Sequence, residues 1–415
     1  MRVRSLHVRG LRSIADQTLD DLPPITYVVG PNSAGKSNIA FALRMFLFVH
    51  LGGHGPERSD VCAFDFQSPP LVELKVVPTT EEKAFIMRNQ LLAGISGVDP
   101  APLLRLASKF ESIIETLKVG AEISDDSPRG GQLQAVGFIP QINDTPVTEF
   151  VKNALPDLLE GADANPGGVG LANYLPNMIN RNILGGLVVP RVLTLGPMRH
   201  PRPRMSPTGI ERIQPDASDI GNAIFLEASN RTERFLQLER WFRDVFPEAS
   251  DVLTAAPLPR MQQGNELRLG VREEGLPDMV PADAMSSGML EALSILSLIA
   301  FSPEGSFITL EEPEAHFHGS ALESLMRIVR EQSRRRQFLI ITHSEEVVGL
   351  QTEMSSVWNV AREPAVGSRF LRGRDEIDSD LMHKLLHERP PRPARDGNNR
   401  PTGSSSAESG PPASR

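Results

Sequence analysis

The 415-residue sequence predicts an α/β fold in which a mostly parallel sheet is flanked by helices. Two observations carry this prediction. Short strands that are apolar throughout alternate with helices, and such strands are typical of a parallel sheet that is covered on both faces. Hydrophobic residues make up 40% of the chain and charged residues 23%, a composition that can build a sizeable core.

The N-terminal part, residues 1–78, reads as strand, turn, strand, loop and helix. Alternation from Leu6 to Arg9 predicts the first strand, and a β-rich run over 24–29 predicts the second. Apolar residues then keep helical spacing over 37–47. A further apolar run from Leu71 to Val77 predicts another strand that ends at a proline.

The sequence pattern changes over residues 79–185. Helical stretches at 103–117 and 147–159 alternate with breaks rich in Gly, Pro and Asp at 124–131 and 161–170. The pattern predicts a helical insertion between the two parts of the sheet domain.

Regular alternation returns over residues 186–388, the predicted C-terminal part of the sheet domain. Strands are predicted at 187–189, 192–195, 306–310 and 338–342, and helices at 228–246, 290–301 and 321–331. Beyond these, residues 389–415 contain almost nothing apolar, so this tail is predicted to be disordered.

Composition excludes several classes of protein. A formal net charge of −9 argues against an overall basic nucleic-acid coat, although local basic stripes stay open, and an aromatic content of 5% argues against a base-stacking platform. The sequence shows no apolar run long enough to span a bilayer and no secretory signal, so no membrane association is expected. One cysteine, Cys62, cannot form an internal disulfide, which favours a cytoplasmic protein.

A glycine-rich motif lies between the second predicted strand and the first predicted helix. Its residues are Gly30, Pro31, Asn32, Ser33, Ala34, Gly35, Lys36 and Ser37, which fit G-x-x-x-x-G-K-[ST]. In such a loop backbone N–H groups converge on the β-phosphate, and the next helix offers its positive N-terminus. Lys36 would bridge the β- and γ-phosphates and Ser37 would ligate Mg²⁺. The motif therefore predicts a nucleoside triphosphate site rather than an accidental glycine loop.

Two carboxylates end the strand predicted over 306–310. One carboxylate at a strand end can hold Mg²⁺, and a second beside it can polarise an attacking water. We assign Glu311 to the metal and Glu312 to the water. A solvated strand terminus is the plain alternative.

The turn Ser286-Ser287-Gly288 precedes the apolar helix over 290–301. Serine before a helix is a routine N-cap, but hydroxyl and N–H groups here could also grip a γ-phosphate that another subunit presents. His343, after the strand over 338–342, could contact the γ-phosphate and sense its loss, or could be incidental.

The order of these motifs resembles the ABC-type ATPase heads of the SMC/RecF/OLD group, which are P-loop NTPases. More narrowly, it is similar to the stand-alone OLD-like ATPases of the AAA_21/AAA_15 type. The likeness covers about 1–77 and 186–350. It is carried by 30–38 (Walker A, with Asn38 after the serine), Ser286–Gly288 (ABC signature), 311–314 followed by His318 (Walker B), 342–344 and 195–199.

The resemblance implies a homodimer that encloses ATP and Mg²⁺. Residues 30–38 of one subunit and Ser286, Ser287 and Gly288 of the other would enclose one nucleotide. Ser287 would contact the γ-phosphate, Glu312 would be the catalytic base and His343 the switch histidine. The chain departs from the family pattern in three ways: Glu291 replaces a frequent arginine, Gly319 replaces a frequent proline, and the Q-loop glutamine is not placed. Gln67 is a candidate for it, with a plain loop residue as the alternative.

Three functions follow from the resemblance. The first is an ATP hydrolase that controls a partner effector, a nuclease in antiphage defence as in Septu-like or retron-associated systems. The second is a RecF-like DNA-repair ATPase, with DNA contacts from Arg2, Arg4, Arg9 and Arg12 or from Arg199, His200, Arg202 and Arg204. The third, an ABC transporter subunit, fits poorly with the long insertion and with Asn38.

OLD nucleases carry a Toprim metal domain after the last motif, and the sequence leaves no room for one. The acidic run over 375–380 is read as a solvated loop. We therefore expect that this chain does not cut DNA itself.

Overall fold

The computed structural model describes residues 1–51, 69–91, 108, 111–124, 134–137, 140–159, 176–202, 204–205, 213–254, 267–350, 355–363 and 366–373. The predicted disordered tail, the acidic run over 375–380, Cys62 and Gln67 lie outside these ranges. Within them, none of the helices combines the length and the apolar character that a membrane crossing requires.

The strands, in chain order, are β1 (Arg2–Leu11), β2 (Ile14–Leu19), β3 (Ile25–Val29), β4 (Leu71–Val77), β5 (Leu117–Ser124), β6 (Gln134–Gly137), β7 (Gln141–Ile142), β8 (Thr145–Pro146), β9 (Val192–Leu195), β10 (Arg204–Met205), β11 (Ala249–Thr254), β12 (Leu267–Glu273), β13 (Val280–Pro281), β14 (Phe307–Glu311), β15 (Gln337–Thr342), β16 (Ser355–Glu363) and β17 (Gly367–Arg372). The helices are α1 (Ser37–Leu51), α2 (Thr80–Leu91), α3 (Val147–Leu159), α4 (Ile220–Ser229), α5 (Glu233–Val245), α6 (Ser287–Phe301), α7 (Ser320–Gln332) and α8 (Glu345–Gly349). A π-helical segment (Asn182–Val188) and a 3₁₀ turn (Val189–Arg191) precede β9.

A mostly parallel sheet forms the centre of the fold, and the predicted α/β class is confirmed. Its order is β17-β16-β3-β15-β14-β9, and β17 is the one strand of the six that runs antiparallel to its neighbour. Every residue of β3, β9, β14 and β15 is buried, as expected for strands covered on both faces. The carboxyl ends of β3, β14 and β15 meet at one edge, where Val29 pairs with Thr342 and Glu311 with Ile341.

An antiparallel sheet packs on one side of this centre. Its order is β2-β1-β4-β5-β7-β8, with β6 beside β5. Helix α1 contributes Ile39, Leu43 and Phe46 to a core shared with residues of both large sheets. A second core on the other face of the parallel sheet contains residues of α4 to α8.

The segment 79–185 is mixed rather than purely helical. The helix predicted over 147–159 is confirmed as α3. The helix predicted over 103–117 is wrong at its end, because Leu117 begins β5. There Leu117, Val119 and Ala121 are buried while Lys118 is only partly buried, and β5 pairs with β4 from Leu117 to Glu122. The antiparallel sheet therefore continues into the segment expected to be helical.

Two further predicted elements differ from the structure. The strand predicted over 187–189 belongs instead to the π-helical segment and the 3₁₀ turn, where the Asn182 side chain donates to Ile86 O over 2.8 Å. The helix predicted over 228–246 is broken after Ser229. Thr232 starts α5 as its N-cap, accepting a hydrogen bond from Phe235 N, so this local capping overrides the continuous amphipathic pattern.

Candidate nucleotide-binding site

The predicted phosphate loop joins β3 to α1, as the sequence indicated. Gly30 and Gly35 have φ values of +153° and +103°, a region that disfavours side chains. A Cβ at Gly35 would overlap Ser368 Oγ and lie 2.6 Å from Ser13 Oγ, and a Cβ at Gly30 would overlap Val360 O. Glycine is thus required at both positions by conformation and by space.

Lys36 is held inside this loop. Its side-chain nitrogen Nζ donates to Gly30 O over 2.7 Å and to Pro31 O over 3.0 Å. Burial lowers the pKa of Lys36, and the negative charges of Glu312 and Glu314 oppose that shift. Those two carboxylates therefore lie close enough to act on the Lys36 ammonium.

Two serines from distant parts of the chain support the loop, and no sequence pattern indicated either of them. Ser13, in the β1–β2 turn, and Ser368, on β17, form the serine brace; both are buried and their Oγ atoms lie 2.6 Å apart. Ser368 Oγ donates to Ala34 O over 2.5 Å, and Asn38 Nδ2 donates to Ser13 Oγ over 2.6 Å. Asn38, which the sequence predicted to help bind the nucleotide, thus supports the loop through its hydrogen bond to the serine brace.

Glu311 ends β14 and is buried. Its carboxylate pairs with Arg44 of α1, and its main-chain oxygen accepts from Arg199. The structure therefore gives the predicted metal ligand an arginine partner that the sequence did not indicate.

Glu312 begins an acid–histidine cluster, which we define as Glu312, Glu314 and His343. His343 Nδ1 lies 3.6 Å from Glu312 Oε1 and 3.7 Å from Glu314 Oε1, and Thr342 Oγ1 donates to Glu314 Oε1 over 2.5 Å. Glu312 adopts a left-handed φ of +47°, a strained conformation that clusters at functional sites. The cluster brings together Glu312 and His343, which the sequence singled out, and adds Glu314.

The oxygen donors near Lys36 suit a magnesium ion. Ser37 is exposed at the start of α1, and Glu314 Oε2 is buried with no hydrogen-bond partner in the part of the chain that the structure covers. Hydroxyl and carboxylate oxygens are the ligands that Mg²⁺ prefers.

The signature turn lies at the start of α6. Ser286 Oγ accepts from Met289 N over 3.2 Å, so the plain N-cap interpretation of Ser286 is confirmed. Ser286 and Ser287 are exposed, whereas Gly288 is buried, and a Cβ there would lie 2.8 Å from His316 O. The turn therefore packs directly on the loop that follows Glu312 and presents its two serines at the surface. Their contact with a second subunit stays a prediction.

Glu291, the departure from the family pattern, is buried and pairs with Arg199, whose side chain is 0% exposed. The proposal that Arg199 contacts DNA phosphates is therefore wrong, because its guanidinium is enclosed by protein. His200 and Arg202 are exposed.

The arginines of the first basic stripe contact their own chain. Arg2 donates to Leu22 O over 3.3 Å, and Arg9 donates to Pro69 O over the same distance. Arg4 lies 3.4 Å from Asp21, and the Arg12 guanidinium stacks on the ring of Phe41, 3.6 Å from its centroid. Contacts of this kind favour a plain role of the four arginines on the surface of their own chain over a role in DNA binding.

Two parts of the chain match known protein families. Residues 199–349 match the family model described as "AAA domain, putative AbiEii toxin, Type IV TA system", and residues 5–94 match one described as "AAA domain". No curated protein matches the chain.

Solved structures of SMC heads resemble the chain in fold. An SMC head bound to the C-terminal winged-helix domain of ScpA has a TM-score of 0.50 at 13% identity, covering 90% of this chain and 99% of that one. The SMC head domain from Thermotoga maritima has a TM-score of 0.42 at 17% identity, covering 90% and 100%. The two family matches and the phosphate loop support a P-loop ATPase domain of the AAA type, and the ScpA-bound SMC head, with a TM-score of 0.50, shows a likeness in fold.

Proposed function

We propose that this chain is a Mg²⁺-dependent, ABC-type ATPase of the OLD-like kind that hydrolyses ATP in a site shared by two copies. One observation carries the proposal: a single edge of the parallel sheet holds both the phosphate loop and the acid–histidine cluster. The effect of Glu312 and Glu314 on the Lys36 pKa supports their closeness.

Each group at this edge has a role suited to its chemistry. Lys36 and the N-terminus of α1 would hold the phosphates. The Ser37 hydroxyl and the carboxylates of Glu311 and Glu314 would be the ligands for Mg²⁺. The bound ion would neutralise charge that develops on the transferred phosphoryl group. Glu312, 42% exposed and 3.6 Å from His343, would accept a proton from the attacking water. His343 would contact the γ-phosphate and respond to its departure.

The second copy would complete the site. Ser286 and Ser287 are exposed while Gly288 fixes their turn against the loop after Glu312. An exposed, rigidly seated turn of two hydroxyls at a helix N-terminus suits a γ-phosphate that another subunit presents. The homodimer around ATP rests on this arrangement and on the resemblance to ABC-type heads.

The biological role that we propose is control of a separate effector, a nuclease in antiphage defence. The resemblance to stand-alone OLD-like ATPases supports it, as does the toxin–antitoxin wording of the family description for 199–349. The RecF-like alternative loses support, because the first basic stripe contacts its own chain and Arg199 is buried. Detectable DNA binding that weakens steeply with salt would restore it.

Glu312→Gln tests the hydrolytic role. Loss of a general base lowers turnover by about 10²- to 10⁴-fold, and ATP binding is retained because Lys36 is untouched. We expect turnover to fall into that range while ATP converts the variant into a lasting dimer, measured by phosphate release and light scattering. Glu346→Gln, the same change at an exposed residue of α8, is the matched control and should hydrolyse normally. Unchanged hydrolysis by Glu312→Gln would remove Glu312 from its role.

A further inference from the structure

A line of buried and partly buried charged groups joins the elements that carry the three nucleotide motifs. Arg44, on the helix that follows the phosphate loop, pairs with the Glu311 carboxylate. Arg199 then bonds the Glu311 carbonyl through one guanidinium nitrogen and the Glu291 carboxylate through another. We call Arg199 with these two partners the arginine bridge. Its ends lie one residue before Glu312 and three residues after Gly288.

The bridge holds one particular peptide group. The carbonyl of Glu311 and the N–H of Glu312 belong to the same planar unit. Arg199 donates to that carbonyl, and the N–H donates to Ile341 O on β15 over 2.7 Å. The peptide is thus bonded on both sides, directly before the residue whose φ is +47°. A strained backbone persists only where its surroundings fix it, and these two bonds do so.

Stability alone does not account for a buried ion pair at this place. The side chains of Arg199 and Glu291 are 0% and 6% exposed, so both charges have left water. A well-packed apolar pair of similar volume is often as stable as a buried ion pair. Burial indeed raises the pKa of Glu291, with Arg199, His316 and His200 opposing the shift. An apolar pair cannot orient a neighbouring polar group. The planar guanidinium of arginine can, because its N–H groups point in fixed directions.

We propose that Arg199 is a positioning residue for hydrolysis, which sets the backbone of Glu312 relative to the start of α6. The inference rests on the proposed function. In the shared site, Glu312 acts on the nucleotide of its own Lys36, whereas Ser286 and Ser287 serve the nucleotide of the other subunit. The arginine bridge therefore ties together, inside one chain, groups that act on two different ATP molecules.

Single and double substitutions separate positioning from stability. Arg199→Met and Glu291→Met each leave a buried charge without its partner, and we expect lower melting temperatures together with lower turnover. The double variant Arg199→Met/Glu291→Met replaces the pair by apolar side chains. We expect it to regain most of the melting temperature while kcat stays at least about tenfold below the wild type, since small misplacements at a reacting group cost up to about 10²-fold. The KM for ATP should change by less than about threefold, because the phosphate loop is intact.

Arg202→Met, on the same segment but exposed, is the matched control and should keep the wild-type kcat. Arg199→Lys, which keeps the charge but not the fork, should fold and still lose turnover. A double variant that recovers both melting temperature and kcat, or an Arg199→Lys variant with the wild-type kcat, would overturn the inference and leave the proposed function standing. A wild-type chain without ATP turnover, or full turnover by Glu312→Gln, would instead overturn the proposed function and the inference with it.

Discussion

Removal of the Ser368 hydroxyl should weaken ATP binding although Ser368 lies more than 330 residues beyond the phosphate loop. The side chain is 1% exposed, and its Oγ donates to Ala34 O while contacting Ser13 Oγ. In Ser368→Ala the Ala34 carbonyl and the Ser13 hydroxyl each lose this partner. A buried polar group left unsatisfied costs about 1–3 kcal/mol. If the loop relaxes to recover that energy, its phosphate-binding conformation becomes less favourable by a comparable amount.

Since about 1.4 kcal/mol corresponds to a tenfold change in affinity, the Kd for ATP should rise by about 5- to 140-fold. Titration calorimetry in a Glu312→Gln background measures this Kd without interference from hydrolysis. The matched control is Ser356→Ala on the adjacent strand β16, because Ser356 Oγ is buried with no hydrogen-bond partner in the described ranges. A Ser368→Ala Kd within twofold of the parent would refute the idea that the serine brace supports the loop.

Two further substitutions test the framework around the site. Gln337 bonds Val3 N, Val3 O and Leu22 O through its carboxamide. Gln337→Ala should therefore lower the free energy of unfolding by about 2–4 kcal/mol in a urea titration, and a loss below about 1 kcal/mol would contradict this. Burial raises the pKa of Tyr27 to about 12, so the native state loses stability as pH rises above 10, where the unfolded chain ionises first. At about 1.4 kcal/mol per pKa unit, and with half of the native Tyr27 itself ionised at pH 12, Tyr27→Phe should avoid a loss of about 2.3 kcal/mol by that pH. Equal pH slopes for both proteins would argue against it.

Local patterns were sufficient for the parts of the site that lie where a strand ends. The phosphate loop follows β3, Glu312 follows β14 and His343 follows β15. Each group was singled out as polar residues that follow an apolar run, and parallel strands present their carboxyl ends at one edge, which brings the groups together in the fold.

Groups that act through distant contacts could not be found in this way. Ser13, Ser368 and Arg199 are ordinary residues in their own segments, and only the folded chain places them against the phosphate loop or Glu311. Glu291 illustrates the same limit: the sequence showed it only as a departure from a family pattern, whereas the structure shows it as the buried partner of Arg199.

Errors in the predicted elements have equally specific causes. The helix predicted over 103–117 included Leu117, and the short alternation that follows, which contains a glycine, was not predicted as a strand, although pairing with β4 decides its conformation. Between α4 and α5 no glycine or proline marks a stop, so the sequence did not indicate the break, and the capping hydroxyl of Thr232 determines where the second helix begins.

The placement of β3 has a consequence for synthesis of the protein. Both neighbours of β3 in the sheet, β15 and β16, begin after residue 336. A nascent chain emerging from the ribosome therefore carries the apolar strand Ile25–Val29 without its lateral hydrogen bonds until most of the polypeptide has been translated. Ribosome-released fragments that stop before β16 would expose this strand to aggregation, and none of them would hold a finished phosphate loop.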